Sequence, residues 1–144
     1  MGARRRAQRG RRAAVVTGGL GGVMEAASAG AASAGGLTVG LLPGENRAAA
    51  NRSVAGAIPT GLGEARNALV VRAADAVVAV GGSWGTLSEV ALAMRRGVPV
   101  VALGGWSVVD DDGREVPGVR RASTAREAVR LALALAEQVR DIRP

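Results

Sequence analysis

The densest run of residues able to do chemistry is Gly81-Gly82-Ser83-Trp84-Gly85-Thr86-Leu87-Ser88-Glu89. Glycines at a strand-to-helix junction let backbone N–H groups approach an anion, and a carboxylate beside such a site can handle protons or ribose hydroxyls. Before the run, Ala76-Val77-Val78-Ala79-Val80 reads as a parallel strand covered on both faces. After it, Leu87, Val90, Ala91 and Met94 recur at i, i+3, i+4 and i+7, and Arg95, Arg96, Gly97 and Pro99 close a helix. The junction therefore aims a helix N-terminus, with free N–H groups and the positive dipole end, above the strand. An anion is its natural occupant.

Two other readings of the same residues fail on composition. Gly81-Gly82-Ser83-Trp84-Gly85 satisfies the G-x-S-x-G pattern of a nucleophile elbow, but the chain has no His to take a proton from Ser83. Neither this turn nor Gly19-Leu20-Gly21-Gly22-Val23-Met24 supplies the third glycine of G-x-G-x-x-G, so a redox dinucleotide is not favoured. The chain also lacks Cys and Lys. That removes disulfides, Cys or His metal sites, a cysteine nucleophile, a lysine Schiff base and a Walker-type phosphate loop. Glu89 has a plainer account too: Thr86 and Glu89 form T-x-x-E, and a capping box would use the carboxylate to satisfy the N-cap N–H.

The elements that must position these residues repeat one unit of strand, glycine turn and helix. Residues 13–17 read as a strand, Gly18-Gly19-Leu20-Gly21-Gly22 as a turn and 23–34 as a helix of small residues. Residues 37–42 form the next strand, 43–53 a loop with at most one helical turn, and 54–58 a short strand. Pro59-Thr60-Gly61-Leu62-Gly63 then turns into a helix over 64–74. Beyond the central unit, 98–103 is an apolar strand, and Asp110-Asp111-Asp112-Gly113 marks a solvated turn, its spacing unlike a calcium loop. Thr124 and Glu127 cap a last helix whose Ala128, Leu131, Ala132, Leu135, Ala136 and Val139 share a face. The alternation predicts an α/β fold: a three-layer α/β/α sandwich with a mainly parallel sheet and all three glycine turns on the carboxyl rim.

At 144 residues, one domain over 13–144 is expected behind an Arg-rich leader over 1–12, either disordered or the remnant of a helix. The net charge of +7 invites a nucleic-acid reading, yet Arg4, Arg5, Arg6, Arg9, Arg11 and Arg12 supply six of those charges. The rest is close to neutral, so nucleic acid is not the favoured partner. No segment offers the ~18–20 apolar residues of a membrane span, and a cytoplasmic location is expected.

The run Gly81 to Glu89, which reads G-G-S-W-G-T-L-S-E, resembles the G-G-x-G-T-x-x-E signature of the LOG family, Rossmann-like proteins once labelled lysine decarboxylases. Gly63-Glu64-Ala65-Arg66-Asn67 resembles that family's second motif, Ala74-Asp75-Ala76 its acidic start to the next strand, and Thr17-Gly18-Gly19-Leu20-Gly21-Gly22-Val23-Met24-Glu25 its other glycine turn. The resemblance covers roughly residues 13–105. A decarboxylase built on pyridoxal phosphate is untenable without lysine.

The resemblance implies a Rossmann-like fold, a homo-oligomer (dimer or tetramer) and a small phosphorylated ligand, with no cofactor or metal required. One branch hydrolyses the N-glycosidic bond of nucleoside 5′-monophosphates. On that analogy Gly81, Gly82, Gly85 and Thr86 hold the phosphate with Thr17, Gly18, Gly19, Gly21 and Met24 contributing, Glu89 contacts the ribose and assists water, and Arg66 orients the nucleotide. The Arg66-Asn67 pair, with Val80 where a proline commonly opens the motif, looks more like the branch of molybdenum cofactor carrier proteins. That branch implies a non-catalytic carrier or sensor of a molybdopterin-type ligand, the alternative to a bound nucleotide. The family also starts one strand and one helix earlier, and Arg9-Gly10-Arg11-Arg12 resembles the end of that helix; the first strand and helix are expected to be missing.

Overall fold

The computed structural model describes residues 13–142, so the Arg-rich leader lies outside the described residues. Strands and helices alternate: β1 (Ala14–Thr17), α1 (Val23–Ser33), β2 (Leu37–Leu42), β3 (Gly56–Pro59), α2 (Arg66–Ala73), β4 (Val77–Val80), α3 (Trp84–Arg96), β5 (Val100–Leu103), β6 (Val119–Ala122) and α4 (Ala125–Ile142). Single 3-10 turns at Arg47–Ala49 and Gly63–Ala65 complete the chain. The expected α/β class holds, and every pairing within a sheet is parallel. The strands form two three-stranded sheets, β1-β2-β3 and β4-β5-β6. The described residues correspondingly divide into two compact units, one up to Gly61 and one from Leu62 onward.

In the first unit β2 is central, and α1 packs against β1 and β2. Leu41 and Leu42 are buried, as is the Thr38 hydroxyl, which donates to Ser53 O at 2.7 Å and accepts from Ala55 N–H at 2.8 Å. A buried hydroxyl satisfied in both roles fixes the crossover from β2 to β3 without an unpaired polar atom.

In the second unit β5 is central, and its side chains alternate between two cores. Val100 joins Val71, Ala79, Ala93 and Val98 on the side of α2 and α3, while Val101 meets Ala128 and Ala132 of α4. This is why the strand reads as a continuous apolar run. The end of α3 follows its sequence signals: Gly97 is left-handed at φ 69°, and Val98 N–H bonds Ala93 O at 2.9 Å. At α4, Thr124 Oγ1 accepts Glu127 N–H at 3.1 Å, and the Glu127 carboxylate reaches back one residue further than a capping box, to Ser123 N–H at 2.8 Å.

β6 has no counterpart among the strands expected from sequence. Its residues, Val-Arg-Arg-Ala, alternate too little to mark a strand, and it forms as a charged edge beside β5. Among the described residues no helix is long and apolar enough to cross a membrane.

Candidate functional site

Each unit carries a glycine turn at the carboxyl end of a parallel strand. After β1, Gly19 N–H donates to Thr17 Oγ1 at 3.0 Å, and Gly18 and Gly19 are buried. The turn lies so flat on β2 that a β-carbon at Gly40 would stand 2.8 Å from Gly19 Cα. Asn51, which no sequence motif singles out, pins it: its N–H donates to Gly19 O and its Nδ2 to Leu20 O, both at 2.8 Å. Gly21 stays exposed, and Met24, half-buried, lies in the first turn of α1. Thr17, Gly18, Gly19, Gly21 and Met24 thus gather around one turn of the first unit.

The remaining candidates gather in the second unit, where α3 begins earlier than its motif suggests. Trp84 is the first helical residue, and the N-cap is Ser83, in extended conformation (φ −148°, ψ 162°). Its Oγ accepts Thr86 N–H at 3.1 Å and lies 3.0 Å from Thr86 Oγ1. The first-turn N–H groups of Trp84 and Gly85 have no intrahelical acceptor. The serine that resembled a nucleophile is a cap.

The same geometry corrects the capping account of Glu89. Thr86 occupies the third helical position, and Glu89 lies in the second turn, three residues beyond the position from which a capping carboxylate reaches back. Glu89 is instead a half-buried side chain near Arg66, the first residue of α2. Burial pushes its carboxyl above the usual Glu range, and the Arg66 guanidinium pulls it partly back. On the same side of α3, Asn67 Nδ2 donates to Ser88 Oγ at 3.0 Å, which in turn donates to Gly85 O at 2.7 Å. Asn67 thus ties α2 to the first turn of α3.

Over the turn at Gly82 stands a strap that the sequence marks only as a solvated turn. Residues 104–118 leave β5 and fold back as a hairpin, with an antiparallel bridge between Val109 and Glu115 and a bond from Val116 N–H to Val108 O at 2.8 Å. Its tip is the expected Asp turn: Asp110 Oδ1 accepts the N–H groups of Asp112 at 3.0 Å and Arg114 at 2.9 Å, and Asp112 pairs with Arg114 at 2.6 Å. Arg121 on β6 ties the strap down, donating to Gly104 O (3.3 Å), Trp106 O (3.0 Å), Ser107 Oγ (2.7 Å) and Glu115 Oε1 (3.2 Å). Trp106 lies over Gly82 and meets Trp84 edge to face, centroids 4.9 Å apart. A signal for Trp106 existed, since it follows Gly104-Gly105 at the end of a strand, the pattern of the other turns.

A model of the SLOG cluster4 family matches residues 7–137. An uncharacterized protein of Archaeoglobus fulgidus is 41% identical over 115 residues, 80% of this chain and 71% of that protein. Among solved structures, the molybdenum cofactor binding protein from the phototrophic bacterium Rippkaea orientalis is similar at 39% identity and TM-score 0.73, covering 85% of this chain and 77% of that one. The molybdenum cofactor carrier protein of Chlamydomonas reinhardtii is similar at 34% identity and TM-score 0.70, over 86% and 78% of the two chains.

Proposed function

The chain belongs to the SLOG cluster4 family, and we propose that it binds a small phosphorylated ligand at the 81–86 turn and carries it unchanged, a molybdopterin-type group being the favoured cargo. The observation that carries this reading is the N-terminus of α3. Ser83 takes up Thr86 N–H, leaving the N–H groups of Trp84 and Gly85 at the positive end of a 13-residue helix. The likeness to a molybdenum cofactor binding protein at 39% identity supports carriage over turnover. In this reading Gly81, Gly82, Gly85 and Thr86 surround the phosphate, and Thr17, Gly18, Gly19, Gly21 and Met24 form the corresponding candidate turn of the first unit.

A second reading rests on Glu89. A carboxyl with raised proton affinity beside an arginine suits proton transfer at an N-glycosidic bond: water adds to the ribose carbon as the base departs with a proton. Arg66 then steadies the charge that develops. Incubation with several nucleoside 5′-monophosphates, followed by mass spectrometry for released base, separates the two. Release that disappears in Glu89→Gln establishes the hydrolase. No release, together with a phosphorylated pterin in the extract of the purified protein, establishes the carrier. In either case Gly85→Asp, which sets a carboxylate among the anion-facing N–H groups, abolishes ligand binding. Light scattering on the same preparation tests the expected dimer or tetramer.

A further inference from the structure

Behind the glycine turn the second unit holds a cavity of about 240 Å³. It lies between α3, the ends of β4 and β5, β6 and the strap. Thr86, Leu87, Val90, Ala91 and Met94 of α3 form one wall, a single helical stripe at about 100° per residue. Glu89 falls outside that stripe and is not part of the lining. Trp106, Val108 and Val116 of the strap form the roof, and Ala102 of β5 the floor. Gly82, Ser83 and Thr86 are shared with the anion-facing turn, so the cavity opens onto it.

The size and chemistry of this space narrow what enters it. At 240 Å³ it falls below the roughly 300–1,000 Å³ of pockets that enclose a whole ligand, which leaves room for one ring system. The walls are mostly aliphatic, and the Trp106 indole forms part of the roof. Charge is confined to Arg121, whose donors hold the strap, and to Glu115, whose carboxylate accepts hydrogen bonds only. A group seated there is flat and apolar on its faces and bears N–H donors on an edge.

We infer that the cavity under Trp106 is a ring subsite, taking the planar nitrogen heterocycle of a ligand whose phosphate sits on the 81–86 turn. The assignment rests on the anion site proposed above and extends it.

Calorimetric titration of the full chain with guanosine 5′-monophosphate, ribose 5-phosphate and guanosine tests the assignment. The expected result is that the nucleotide binds at least tenfold more tightly than ribose 5-phosphate. The preference disappears in Ala91→Leu, which fills the cavity from the exposed side of α3, and in Trp106→Ala, while the affinity for ribose 5-phosphate is kept in both. Equal affinities in the unaltered protein overturn the ring subsite and leave the anion site standing, as does a preference that survives both substitutions. Guanosine binding that is sensitive to Ala91→Leu, with no response to ribose 5-phosphate, overturns the anion site instead. Silence with all three probes overturns both.

Discussion

Trp106 lies so close over Gly82 that a β-carbon at position 82 would stand 2.7 Å from its indole Nε1. Gly82→Ala therefore swings the indole aside. Since Trp106 is half exposed and can move, the cost stays below the roughly 1–3 kcal/mol of overpacking a closed core. The expected outcome is a nearly unchanged urea midpoint with faster amide hydrogen exchange across residues 104–116.

Glu89 gives the protein a pH dependence of definite sign. Its carboxyl is raised above the ordinary 4.5, first by burial and against the pull of Arg66. A raised acid favours the folded state while protonated, so its contribution is complete below about 4.5 and is lost as pH rises through the folded value. Glu89→Gln should match the unaltered protein in urea at pH 4 and exceed it at pH 7. Arg66→Met, by removing the opposing charge, should widen the difference that Glu89→Gln makes at pH 7.

Ser83 is a cap, and its removal should cost stability rather than chemistry. Ser83→Ala leaves Thr86 N–H without its acceptor, a loss of about 1 kcal/mol. Ser83→Gly should recover most of it. Any base-releasing activity that fell a thousandfold in Ser83→Ala, with folding intact, would restore the nucleophile that the absence of histidine argues against.

How far the sequence could be read depended on the kind of signal. The boundaries of β2 and the C-terminus of α3 follow from local patterns, an apolar run and an Arg-Arg-Gly-x-Pro ending. The start of α3 misled because both Ser83 and Thr86 are good caps, and only the extended backbone at Ser83 decides between them. β6 and the strap gave weaker signals still. Arg121 does its work through carbonyls and side chains 6 to 17 residues away, and nothing in Val-Arg-Arg-Ala announces those partners. The cavity is a property of the strap's return, so it was not legible at all.

In the first unit, Asn51 is the testable anchor. Asn51→Ala removes the donor to Leu20 O and the Oδ1 acceptor of Ser53 N–H, leaving two half-buried backbone groups unpaired. A loss of about 1–3 kcal/mol is expected, with hydrogen exchange rising locally around residues 18–22.

The two tryptophans carry a practical consequence. The sequence has no tyrosine or phenylalanine, and both indoles stand at the rim of one glycine turn. All near-ultraviolet absorption and all intrinsic fluorescence of this protein therefore originate where the ligand is expected, with no distant chromophore to dilute them. The molecule carries its own optical probe, and any quenching or spectral shift on mixing with a candidate ligand reports on that rim and nowhere else.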